Sequence, residues 1–120
     1  MIGKLLNQFT QETQINAFPR FSTLMKKFEY DWEAKIVTTE DHYKLTTFHI
    51  KSKTTEPTLG SVLIQHGDME DGASWIDNYG EDKSFHLMLV DAGYDVWIGN
   101  NRGTEYSWGH EDFDIVNNYA

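Results

Sequence analysis

Two short apolar runs, SVLIQHG (61–67) and YDVWIGNN (94–101), constrain the fold of this chain most, because a helix-like segment, KSFHLMLVDAG (83–93), lies between them. A continuous apolar run bounded by turn residues reads as a strand buried on both faces. Gly93 supplies the left-handed stop that such a helix needs. Strand, helix and strand in this order predict a βαβ unit, with parallel strands and a right-handed crossover.

Upstream the apolar period falls to two. AKIVTTE (34–40), DHY (41–43) and KLTTFHIKS (44–52) place β-branched and aromatic residues on both sides of a tight connection, which predicts a β-hairpin. KTTEPTLG (53–60) reads as a loop from its Pro and Gly. Nearer the N-terminus, Ile2, Leu5, Leu6 and Phe9 have the spacing of one helical face. Phe18, Phe21, Met25 and Phe28 repeat that pattern after Pro19, a good first helical residue. Two short amphipathic helices are expected, either packed on the chain's own core or serving as a docking arm. The chain thus divides into a helical extension, residues 1–29, and an α/β region, residues 30–120.

At 120 residues the chain is one domain or part of one. Its 19 acidic residues against 10 basic ones give a formal net charge of -9, which disfavours nucleic acid or an anionic membrane as main partner. The absence of cysteine removes disulfides, thiolate zinc sites and cysteine nucleophiles. No apolar stretch approaches the roughly 18–20 residues of a membrane span, and the N-terminus turns polar too soon for a secretory signal. An intracellular location is expected. Lys4, Arg20, Lys26 and Lys27 against Glu12 give residues 1–28 a basic bias, compatible with a mitochondrial targeting segment or, more plainly, with a solvated basic face.

DAGYDVWIGNNRGTEYS (91–107), QHGDMEDGASW (65–75) and EAKIVTTEDHYKLTTFHI (33–50), in one order, resemble the N-terminal region of the acid lipases, the lysosomal and gastric type of α/β-hydrolase. DAGYDVW followed by GNNRG is the most specific part. The resemblance implies a partial α/β-hydrolase fold, hairpin plus one βαβ unit, preceded by short helices. It also implies that His66, Gly67 and Asp68 form an oxyanion-hole loop, in which His66 shapes the turn and the Asp68 N–H is one donor. The second donor would follow the nucleophile of a G-x-S-x-G elbow.

That elbow and its Asp and His partners would lie beyond Ala120. Ser74 has Ile76 where the second Gly of an elbow belongs, and Ser107 has Glu105 where the first belongs. His42, His49, His86 and His110 are scattered and read as surface or strand residues. Three positions depart from the family. Asp68 replaces an apolar residue, and a carboxylate 4 Å from an oxyanion would repel it by up to about 4 kcal/mol at an effective dielectric of 20. His42 replaces a turn Gly, which implies either a changed turn geometry or a residue held at positive φ. Asn101 stands where Ser is common. The acidic stretches 68–71, 77–82 and 110–114 lack EF-hand spacing and read as solvated charge. Neither a metal nor a cofactor is expected.

In the resembled fold, SVLIQHG lies between YDVWIGN and the strand of the nucleophile, so Val62, Leu63 and Ile64 would leave an apolar edge needing cover. Three functions follow as expectations. One is a non-catalytic, lipase-derived subunit whose neighbours cover that edge and receive residues 1–28. A second is the N-terminal part of a split or truncated ester hydrolase. A third is a lipid-binding module with a cleft beside Val96 and Trp97.

Overall fold

The computed structural model describes residues 4–8, 10–53, 56–79 and 84–112. Among them six strands form one sheet: β1 (Lys4–Gln8), β2 (Trp32–Thr38), β3 (Tyr43–Ile50), β4 (Ser61–Gln65), β5 (Asp95–Gly99) and β6 (Gly109–His110). The order is β1-β2-β3-β5-β4, with β6 added beside the start of β3. The hairpin β2–β3 is antiparallel, and β4 pairs with β5 in parallel, as the two apolar runs predict. Its turn carries His42 at φ +69°, the left-handed conformation expected of a residue in a Gly position.

Among the described residues four helices accompany the sheet: α1 (Gln11–Ala17), α2 (Pro19–Phe28), α3 (Ser74–Tyr79) and α4 (Phe85–Ala92). Pro19 opens α2 at its first turn, and Gly93, at φ +103°, closes α4, both as expected. The apolar face of α2 is used internally, since Phe21 and Met25 are fully buried and Phe18 and Phe28 nearly so.

The first segment differs from its helical pattern. Lys4–Gln8 is a strand, antiparallel to β2, while Ile2 and Phe9 lie outside the described residues. The outer edge of β2 offers N–H and C=O groups that must find partners, a tertiary demand that outweighs local periodicity. Where that ladder ends, Gln14 continues it with its side chain. Its Nε2 donates to the Trp32 carbonyl at 3.0 Å, and its Oε1 accepts the Ala34 N–H at 3.1 Å.

The two faces of the sheet are unlike. The cross-strand row Ala34, Phe48, Ile98 and Ile64 faces one core shared with α2, α3 and α4. The neighbouring row, Glu33, His49, Trp97 and Leu63, faces away from those helices. His49 stacks on Trp97, centroids 4.1 Å apart, and its Nε2 meets Asp95 Oδ1 at 2.6 Å. Leu63 is 66% exposed, so β4 is not buried on both faces as its apolar run suggests. The described helices lie on one face only, and a strand that is apolar throughout then shows half its side chains to solvent.

Candidate functional site

The carboxyl ends of the parallel strands β4 and β5 deliver two loops, residues 66–73 and 100–107, the place where ligands gather in open α/β sheets. They wall an open cavity of about 400 Å³ lined by His66 to Asp71 and Asn101 to Glu105.

His66, nearly buried, joins the two loops. Its Nδ1–H donates to the Gly67 carbonyl at 2.8 Å, and its Nε2 accepts the Asn101 N–H at 3.0 Å. Those bonds select the neutral tautomer with the proton on Nδ1. The Asn101 side chain in turn accepts Gln65 Nε2 at 2.6 Å, which gives a physical role to a residue that had none from sequence.

Beyond His66 the loop arches outward. The Gly67 N–H donates to Glu70 Oε2 at 3.3 Å, and Asp68 Oδ1 accepts the Met69 N–H at 3.0 Å. Met69 takes φ +63° and is 97% exposed. Among the described residues, no hydrogen bond engages the Asp68 N–H. The donor assigned to an oxyanion by resemblance therefore stands uncommitted at the cavity wall.

The far end of the arch is tied down three ways. Asp71 Oδ1 accepts the Ala73 N–H at 2.8 Å and the Ser74 hydroxyl at 3.3 Å, while Ser74 Oγ accepts the Asp71 N–H at 3.1 Å. This reciprocal cap starts α3, a helix that sequence periodicity did not reveal. Its signal was an Asp followed three positions later by Ser. Gly72 donates its N–H to Asn100 Oδ1 at 2.9 Å, and a Cβ on Gly72 would lie 2.5 Å from Ile98 Cγ2, so only glycine fits. Asp71 Oδ2 receives Arg20 Nη1 at 2.8 Å.

Asn100 is 2% exposed and also donates from Nδ2 to the Thr46 carbonyl at 2.9 Å. Its own carbonyl accepts the Ser107 hydroxyl at 2.8 Å, and Ser107 Oγ accepts the Thr46 N–H at 2.9 Å. Ser107, fully buried, is thus a clamp between β3 and the second loop, and Ser74 is a helix cap. Neither is presented as a nucleophile. Asn100→Ala leaves the Gly72 N–H and the Thr46 carbonyl buried without these partners and is expected to lower stability by about 2 kcal/mol. Urea unfolding measures it, and a loss below about 0.5 kcal/mol would mean that water replaces the amide.

At the outer wall, Arg102 forms a two-pronged pair with Asp41, at 2.6 and 3.2 Å, and lies over the Tyr43 ring, 4.1 Å from its centroid. The Arg102 hydrogen bonds hold the Asp41 carboxyl well below the usual carboxylate range. His42 pairs with Asp112, and this raises its pKa. The hairpin turn is thereby fastened to the second loop.

Of the acidic stretches, 80–82 and 113–114 lie outside the described residues. Among the described residues no three His, Asp or Glu side chains converge on a metal-sized point, and no helix is long and apolar enough to cross a membrane. Asp71 and Asp77 serve Arg20.

Comparison with known proteins agrees with the geometry. Residues 21–79 match the family described as the partial α/β-hydrolase lipase region. The chain is 37% identical over 110 residues to "Lipase member M" of Mus musculus, covering 88% of this chain and 26% of that protein. It is 36% identical to "Triacylglycerol lipase 2" of Arabidopsis thaliana, with 91% and 27% covered. With "Lysosomal acid lipase/cholesteryl ester hydrolase" of Homo sapiens it shares 31% identity, with 94% and 28% covered. The chain spans about a quarter of the length of these curated relatives.

Proposed function

From the premise that this chain belongs to the acid-lipase family of α/β-hydrolases, we propose that it supplies the oxyanion loop of a lipid ester hydrolase whose nucleophile lies outside these 120 residues. The observation that carries this reading is the Asp68 N–H, unengaged among the described residues, at the wall of an open cavity, in a loop anchored at both ends. A donor held in place before charge develops lowers the barrier by a few kcal/mol without reorganising. The remaining strands would continue the sheet beside β4. Leu63, exposed on the uncovered face, would then be buried beneath the layer that follows.

A second reading, a lipase-derived subunit without a reaction of its own, is favoured by the acidity of the cavity. Asp68, Glu70, Asp71 and Glu105 line it with Arg102. Excess negative charge there opposes an oxyanion.

Co-expression separates the two readings. The partner would be a polypeptide matching the remaining three quarters of a relative, including its G-x-S-x-G elbow. Ester hydrolysis and fluorophosphonate labelling are expected from the pair and from neither part alone. Leu63→Asp is expected to weaken association at least tenfold, because it places a charge in the contact. An assembled but inactive pair would favour the subunit reading, and failure to associate would refute the sheet-completion model.

A further inference from the structure

The cavity loop is held by one residue from far away in the chain. Arg20, in the first turn of α2, directs Nη1 to Asp71 Oδ2 at 2.8 Å, and both Nε and Nη2 to Asp77 Oδ2 at 3.0 and 2.8 Å. Its Nη1 also lies 3.7 Å from Glu105 Oε2, in the second loop. One guanidinium therefore touches the end of the first loop, the helix it caps and the opposite wall of the cavity. A lysine cannot reproduce this fork, because it offers a point charge and not a planar set of donors.

The base of the fork is rigid. The next residue, Phe21, is fully buried and stacks on Phe48 at 3.9 Å, so the start of α2 is fixed on the sheet. Partial burial opposes the charge on Arg20, but the Asp77 bonds and the field of Asp71 outweigh it and raise the guanidinium pKa. The other ties of the arch, from His66 to Asn101 and from Gly72 to Asn100, belong to the loops and strands of the βαβ unit itself.

We infer that Arg20 is a positioning residue for the oxyanion loop: through Asp71 it sets where the arch of residues 67–70, and with it the Asp68 N–H, stands relative to the second loop. This rests on the hydrolase reading given above. In that reading the residue acts on turnover through the donor it places, while substrate binding elsewhere is unaffected.

The test uses Arg20→Gln and Arg20→Lys with two readouts. In the full chain alone, amide hydrogen exchange at Gly72 and Ala73 is expected to accelerate at least tenfold in Arg20→Gln, with Phe48 and Ile98 unchanged. In the hydrolase completed by co-expression, kcat is expected to fall about 10- to 100-fold with KM within twofold, as for loss of an outer support of a catalytic group. Arg20→Lys should restore less than half of either effect. Unchanged exchange at Gly72 and Ala73, or equal acceleration at Phe48 and Ile98, would overturn the inference. A rise in KM with kcat intact would also overturn it. If the completed wild-type pair hydrolyses no ester, the hydrolase reading fails and the exchange pattern alone decides whether Arg20 holds the loop.

Discussion

Phe21→Ala is expected to destabilise the domain by about 3–5 kcal/mol, a large share of the roughly 5–15 kcal/mol that folded domains possess. Phe21 is fully buried, stacked on Phe48 with ring planes 13° apart, and meets the edge of Trp32 at 4.9 Å. Its removal opens a cavity between helix and sheet that neighbouring rings cannot fill, because Phe18, Trp32 and Tyr106 already contact Phe48 edge to face. Phe21→Leu keeps most of the volume and should cost less than half as much. Urea titration of the pair checks this. Equal losses would show that ring stacking, and not volume, holds α2 in place.

The second large effect is on pH. His86, on α4, is 2% exposed, and burial pulls its pKa down from an ordinary 6.5 to about 4. Among the described residues its Nδ1 has no hydrogen-bond partner. The unfolded chain therefore takes up the proton first as pH falls. Stability is free of this penalty above pH 6.5 and declines between 6.5 and 4, and the loss amounts to roughly 3 kcal/mol by the lower limit. His42 acts with the opposite sign, because Asp112 raises its pKa, but it lies at the surface where water screens the pair. Carboxylates with lowered pKa values, such as Asp41 and Glu33, lose their contribution at more acid pH. His86→Leu should accordingly flatten the fall in urea midpoint between pH 6.5 and 4. An identical pH slope in wild type and variant would show that His86 is not responsible.

How much of this was legible in the sequence depended on the range of the interaction. The hairpin, the βαβ unit, the Pro19 start and the Gly93 stop rest on local patterns, and the structure has them where the patterns lie. The left-handed turn residue, His42, was readable only through the family resemblance, which places a Gly at that turn. The strand β1 was not, because Lys4–Gln8 takes its conformation from the free edge of β2 and not from its own apolar spacing. The parts of the site that hold the loop escaped as well. Arg20 and Asp71 are 51 residues apart, and Gly72 and Asn100 are 28 apart, so only the folded sheet brings them together. His66, Gly67 and Asp68 were singled out by resemblance, and their hydrogen bonds give that loop a physical basis.

The strand order also carries a consequence for how the chain is made. In the sheet β5 lies between β3 and β4, yet β4 is synthesised first. While the ribosome adds the stretch between β4 and β5, an interval on the order of seconds at ~5–20 residues per second, β3 has an open edge and β4 has no proper mate. The native neighbour of β3 at that edge is antiparallel, the sense in which a nascent β4 would also meet it. Direct antiparallel pairing of β3 with β4 is thus open to the chain during that interval, and β5 has to come between the two strands for the loops of the cavity to meet.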